Sequence, residues 1–282
     1  MEMVAAARLR RAEQRIAAMR PYAQAIRKMT QQVAEAAAET ISVKLLEERE
    51  QTRRVGIALV TGDRGLAGSF NTNIVREGIR LRREFEADGA EVVFAVVGRR
   101  GNSTMGFRGE NVANSYVGFT DRPAFANARE VSRDLTTAYA DEELDRVELV
   151  YNRYVSPLTQ YVRRQTLLPL QQAEVFGEGL PEPEQEADEE LAEAHSRAYW
   201  DYEPDPELLL PKLFEEYVDL SVYRALLESA ASEHGARMTA MRSAAENAQE
   251  MIEDLTLEMN RVRQSEITQE ILEVVSGAEA LG

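Results

Sequence analysis

Residues 219–282 read DLSVYRALLESAASEHGARMTAMRSAAENAQEMIEDLTLEMNRVRQSEITQEILEVVSGAEALG. No proline interrupts the stretch, and Gly235 is its only glycine before Gly277. Leu227, Ala231, His234, Met238, Met241, Ala245, Ala248, Ile252, Leu255, Met259 and Val262 recur at steps of four and three. That alternation is the seam of a coiled coil. Sixty-odd residues at a helical rise of 1.5 Å make a rod of about 95 Å. A seam of that length buries itself against another helix, and the chain offers its own N-terminus. Asp205 as N-cap, Pro206 at the first helical position and Glu207 in the first turn set a start for the rod. A start just after Pro211 is the alternative.

Working outward, residues 1 to about 49 carry Leu9, Ile16, Met19, Ala23, Ile26, Val33 and Ala37 at mostly helical spacing, among Ala, Arg, Glu and Gln. Pro21 removes one backbone hydrogen bond there, so one bent helix is expected. From Arg53 the period changes. Residues 55–61 (VGIALVT) and 91–98 (EVVFAVVG) read as buried strands, with a helical pattern between them from Asn71 to about Ala87. Strand, helix, strand is a crossover unit. A short strand over 111–117, a helix over 122–140 and strands over 147–155 and 162–170 complete a small α/β domain. The expected fold class is therefore α/β: a long antiparallel two-helix coiled coil plus a central Rossmann-like α/β domain. Its parts are an N-terminal coiled-coil helix (1–50), the α/β domain (51–177), an acidic loop or linker (178–205) and a C-terminal coiled-coil helix (206–282).

The net charge of −16 argues against general nucleic-acid binding. Charge is unevenly spread. Residues 1–28 hold seven basic groups against Glu2 and Glu13, and residues 178–207 hold twelve acidic groups against Arg197 alone. The absence of cysteine excludes disulfides and thiolate sites. Neither His195 nor His234 has neighbours at metal-ligand spacing, so no metal is expected. No run approaches the roughly 18 apolar residues of a spanning helix. Charges sit where a signal peptide needs an apolar core.

The only enzyme-like motif is the turn at residues 62–69 (GDRGLAGS). It is glycine-rich, follows a strand and opens a helix, as a phosphate cradle does. It lacks the Gly-Lys-Ser/Thr ending of a P-loop, and its glycines are spaced G-x-x-G-x-x-G instead of G-x-G-x-x-G. A tight strand-to-helix turn explains it as well. Ser, His and Asp occur in no nucleophile-elbow context. Met238, Met241, Met259 and His234 read as seam residues. After Val262 the apolar beat resumes one place late, at Ile267, and continues through Ile271, Val274, Ala278 and Leu281. Such a slip turns the apolar face, so the tip is expected to pack against something other than the first helix.

Several of these stretches resemble one family. Residues 1–11 (MEMVAAARLRR) and 20–23 (RPYA) are similar to the first helix of F-type ATP synthase gamma subunits. Residues 63–68 (DRGLAG) resemble that family's strand-to-helix turn, and 202–206 (YEPDP) its approach to the last helix. Residues 236–241 (ARMTAM), 260–264 (NRVRQ) and 267–281 (ITQEILEVVSGAEAL) resemble its C-terminal signature. The resemblance implies a rotor shaft coupling proton flow to ATP synthesis, with no catalytic residues and no cofactor of its own. It implies alpha and beta subunits around the two helices. The epsilon subunit and the membrane c-ring would lie under the head, with the chain peripheral at the cytoplasmic face of the cell membrane. Position by position, it implies beta-facing roles for Met1, Met3, Arg237, Arg263, Gln264, Thr268 and Glu270. The rival reading is an α/β nucleotide-binding enzyme with a coiled-coil oligomerisation arm. A non-rotary coiled-coil scaffold is a third.

Antiparallel helices leaving one head pair residue for residue, which places Met1 opposite roughly residues 241–257. Some or all of Ala245, Ala248, Ile252, Leu255, Met259 and Val262 then face no partner within the chain. The expectation is that the first helix begins upstream of Met1. An enclosing ring that covers the seam, or a first helix that is short, is the alternative.

Overall fold

The computed structural model describes residues 1–36, 44–49, 51–170 and 206–281. In chain order these form α1 (Glu2–Ala36), β1 (Arg54–Val60), α2 (Phe70–Ala87), β2 (Glu91–Val97), α3 (Arg99–Phe107), β3 (Val112–Tyr116), α4 (Phe125–Ala140), β4 (Arg146–Tyr154), β5 (Gln160–Leu168) and α5 (Pro206–Leu281). The acidic segment expected as a loop over 178–205 lies outside the described residues.

The strands form one sheet in the order β3-β2-β1-β4-β5. β1 runs parallel to β2 and β4, β2 parallel to β3, and only β5 is antiparallel. Strand period two sends alternate residues to opposite faces. Val55, Ile57 and Leu59 of β1 join Val92, Phe94 and Val96 of β2 in the core under α2. Ala58, Val60, Ala95 and Val97 join the opposite core, which holds Val131 and Leu135 of α4. Both faces of the central strands are covered, which is why they read as continuous apolar runs.

The second core also contains Leu210, Phe214, Val218, Val222, Ala225 and Leu226 of α5. The lower third of the long helix is thus a structural layer of the head. α1 runs antiparallel along α5. Met19 and Ile26 pack on Leu220 and Leu227, and Leu9 and Ala12 pack on Ala231 with Met238 beside them. Glu2 closes the far end of the pairing by an ion pair of 2.8 Å to Arg242.

One expectation changes. The first helix does not continue to residue 49. Residues 44–46 form a turn and 47–49 no regular element. Leu45 is buried in the head core, and its carbonyl accepts from Leu170 N at 2.8 Å. The Glu47 carbonyl accepts from the Tyr139 hydroxyl at 2.6 Å. Backbone groups tied to the head in this way are unavailable to a helix. α3 fills residues 99–107, to which the sequence reading assigns no element. Its sequence RRGNSTMGF buries only Gly101 and Met105, so it carries no apolar periodicity to read. No helix of the described residues is long and apolar enough to cross a membrane.

Candidate functional site

In an open parallel sheet the ligand crevice lies outside the carboxyl ends of the strands, where the strand order reverses. Here that point lies between β1 and β4. It is occupied by α5. The Ser229 hydroxyl donates to the Val60 carbonyl at 3.2 Å, at the end of β1. The Ser232 hydroxyl donates to the Asn152 carbonyl at 3.2 Å, near the end of β4. The Glu233 carboxylate lies against Gly62, so close that a β-carbon added there would stand 2.7 Å from it. The glycine-rich turn therefore faces a carboxylate supplied by its own chain.

The first two amides of the turn are also committed. Gly62 N donates to Asn71 Oδ1 at 2.8 Å, and Asp63 N donates to Thr120 Oγ1 at 2.8 Å. Asp63 Oδ2 accepts from Gly118 N, Thr120 N and Thr120 Oγ1, and its Oδ1 accepts from Arg99 N. Burial pushes the Asp63 carboxyl up, but those hydrogen bonds outweigh it and hold the group below its ordinary value. Asp63 thus clamps this turn to the loop before α4 and to the start of α3.

Above the clamp sits a buried charge cluster. Arg237 pairs with Glu233 and donates from Nη2 to the Gly65 carbonyl at 3.2 Å. Glu233 is 2% exposed, and burial raises its pKa against the opposing pull of Arg237. The His234 ring presents Nε2 to the Asp121 carbonyl at 3.4 Å and Nδ1 to Arg237 Nη1 at 3.4 Å. An arginine can only donate, so Nδ1 accepts and the proton belongs on Nε2. Burial pushes the His234 pKa down, against the attraction of Asp121. Asp121 also pairs with Arg8 of α1 and lies 3.9 Å from Arg64. One cluster therefore joins α1, α5, the glycine turn and the loop before α4.

The seven residues singled out for a partner surface fall in three places. Met1 and Met3 are exposed at the free end of α1, at 78% and 86%. Arg263, Gln264, Thr268 and Glu270 are exposed on α5, where the Thr268 hydroxyl bonds back to the Gln264 carbonyl at 2.7 Å. Arg237 stands apart, its guanidinium turned into the head and engaged by Glu233 and Gly65. Sequence reading did not single out Asp63, Asp121, Ser229, Ser232 or Glu233. A signal for the last three was present. Residues 228–234 (ESAASEH) place small and polar side chains all round a helix that elsewhere alternates cleanly.

The contrast along α5 completes the geometry. Residues 225–235 are all buried, whereas every residue from 242 to 278 is exposed except the half-buried Asn260. The bare part still carries Met251, Ile252, Leu255, Met259, Val262, Ile267, Ile271 and Val274. At about 1.5 Å per residue it projects roughly 55 Å beyond the end of α1.

The profile of the family described as ATP synthase matches residues 1–281. The ATP synthase gamma chain of Rubrobacter xylanophilus is 42% identical over 281 residues, covering 100% of this chain and 91% of that one. The sodium ion specific ATP synthase gamma chain of Acetobacterium woodii is 38% identical over 283 residues, covering 100% and 92%. Among solved structures, a chain from the central stalk and c-ring of the Tetrahymena thermophila mitochondrial ATP synthase matches with a TM-score of 0.62 at 26% identity. It covers 87% of this chain and 97% of that one. A chain from the Euglena gracilis mitochondrial enzyme matches with a TM-score of 0.59 at 19% identity, which speaks for the fold alone. With the match running from the free end of α1 to the tip of α5, this chain belongs to the family of ATP synthase gamma chains.

Proposed function

We propose that this chain is the central rotor shaft of an F-type ATP synthase, coupling proton flow through the membrane sector to ATP synthesis on beta subunits. The observation that carries this reading is α5 itself, enclosed by the head over 225–235 and then bare over 242–278 with its apolar residues in place. A rod held at one end and free along the rest turns inside a bearing. On this reading alpha and beta subunits surround the bare shaft. The epsilon subunit and the c-ring meet the head, and the chain is peripheral at the cytoplasmic face of the membrane. Met1, Met3, Arg263, Gln264, Thr268 and Glu270 are exposed where a beta subunit would pass, whereas Arg237 serves the head instead. Arg263→Ala with Gln264→Ala should lower ion-driven ATP synthesis in membranes while the chain still assembles, because the two side chains have no partner within the described residues to lose. Unchanged synthesis would overturn their role.

The chain is also proposed to be non-catalytic. The crevice at the switch point is filled by Ser229, Ser232 and Glu233, and the Gly62 and Asp63 amides already have acceptors. A phosphate approaching Gly62 would meet a carboxylate. Titration of the purified chain with ATP should give no heat of binding in the micromolar range. Micromolar or tighter binding would favour the enzyme reading.

A further inference from the structure

Eleven consecutive buried residues in a polar-rich segment are unusual for a helix that lies on a sheet, because a surface helix buries one stripe. Over 225–235 the head and α1 together enclose the whole circumference of α5 for about three turns, or roughly 16 Å. Taking about 100° per residue, Ser232, Ser229, Glu233 and Arg237 span ~140° of that circumference, and Gly235 and His234 widen the span to ~260°. Leu227, Ala231 and Met238 fill the remaining sector and pack against α1. The sector of Leu227, Ala231 and Met238 faces the other helix, and the polar side chains share the head-facing side with Ala225 and Leu226.

The two kinds of contact resist different motions. Apolar packing is non-directional and tolerates sliding. Hydrogen bonds are angular and weaken steeply when misaligned. Beside the apolar packing of Ala225 and Leu226 in its core, the head meets α5 with the second kind: Ser229 on the end of β1, Ser232 on β4 and Arg237 on the Gly65 carbonyl, with the Glu233 carboxylate in steric contact with Gly62. Three turns lower, Asp219 accepts from Ser132 and from Arg129 Nε of α4. Two glycines allow the close approach. A β-carbon on Gly62 would strike Glu233, and one on Gly235 would stand 2.6 Å from Gln160 Nε2 and 3.3 Å from the Pro157 carbonyl of the β4–β5 turn. Turning α5 by a single residue step would break its bonds to the Val60, Asn152 and Gly65 carbonyls together and leave the buried Val60 and Asn152 carbonyls without their donors, a costly state, while the Glu233–Arg237 pair, both on α5, would turn with it.

Resting on the rotor reading, we infer that residues 229–237 form a keyed joint with the strand ends of β1 and β4 and the glycine turn, through which torque passes between head and shaft without slip. Ser229, Ser232, Glu233 and Arg237 are its positioning residues, and Gly62 and Gly235 are the positions that let it close.

The chain contains no cysteine, so a cysteine pair placed here has no competitor within it. Gly62→Cys with Glu233→Cys removes the carboxylate and, when oxidised, replaces it with a covalent tie across the same contact. The variant is assembled into the complete synthase with cysteine-free partner subunits. Ions pumped per ATP hydrolysed are measured, together with the torsional stiffness of the shaft read from a probe on the head. The reduced form should hydrolyse ATP, pump fewer ions per ATP and twist more easily, and oxidation should restore both quantities. A merely structural defect would not be repaired by a bond. Parental pumping and stiffness in the reduced form, or no recovery on oxidation, would overturn the joint. If the cysteine pair does not assemble, Ser229→Ala with Ser232→Ala adds no bulk and is expected to show the same loss of stiffness, with unchanged stiffness counting against the joint. A parental complex whose head does not turn during hydrolysis would instead refute the rotor reading.

Discussion

His234 and Glu233 are adjacent in sequence, both are 2% exposed, and their pKa values move in opposite directions from the same cause. Burial disfavours the charged form, which for histidine lowers the pKa from 6.5 and for glutamate raises it from 4.5. The consequences for stability are opposite too. The His234 contribution is complete above the ordinary histidine value and is lost as pH falls towards its folded value, because the unfolded chain then binds the extra proton. The Glu233 contribution is complete below the ordinary carboxyl value and is lost as pH rises through its folded value. Urea unfolding of the isolated chain between about pH 5 and 7 should separate them. His234→Gln should remove the loss of stability on acidification, and Glu233→Gln the loss on the way up. Parallel pH profiles for the parent and both variants would show that neither proton is linked to folding. The charges facing this pair are Arg237 on its own helix, Asp121 of the loop before α4, Arg8 of α1 and Asp63 of the glycine turn.

At the scale of the element, one periodic seam on α5 has two energetic meanings. Leu227 and Leu255 occupy equivalent places in it, but Leu227 is 1% exposed against Met19 and Ile26, whereas Leu255 is 57% exposed. Leu227→Ala should destabilise the isolated chain by about 2–5 kcal/mol, the range for a buried leucine. Leu255→Ala should fall within about 0.5 kcal/mol of the parent. Equal losses in denaturant midpoints would mean that the bare seam is covered in solution. The same contrast explains what a sequence can reveal. β1 and β2 are legible to within a residue because burial on both faces writes an unbroken apolar run. α3 is hidden because Gly101 and Met105 alone face inward. The first helix reads too long because nothing local distinguishes residues 44–49, whose backbone is taken by Leu170 and Tyr139 from the far side of the head. The glycine turn illustrates the deepest gap. Its failure as a phosphate loop is legible in its spacing, but the group that faces it, Glu233, lies about 170 residues away. Only the tertiary fold brings the two together.

At the scale of the whole molecule, the chain is two regimes of stability joined at residues 236–241. Below them α5 is enclosed by a sheet, two cores and α1. Above them every residue from 242 to 278 is exposed except the half-buried Asn260. Most helical stability in proteins comes from packing one face, and among the described residues nothing packs to burial on this part of α5. Residues 242–278 are rich in Glu, with Ala, Gln, Arg and Leu beside it, so they favour helix, but among the described residues no core packs on them to oppose fraying. Local opening there should therefore lie near zero in free energy, against nearly the global value at residues 222–235. Hydrogen exchange of the isolated chain, read by mass spectrometry peptide by peptide, should show amides of 250–275 exchanging fast and those of 222–235 protected. Assembly into the complete synthase should slow the former strongly and change the latter little, because the enclosed segment already has its partners. Equal protection of the two segments in the isolated chain would contradict this picture, since it would require a partner for the bare shaft that the described residues do not give it.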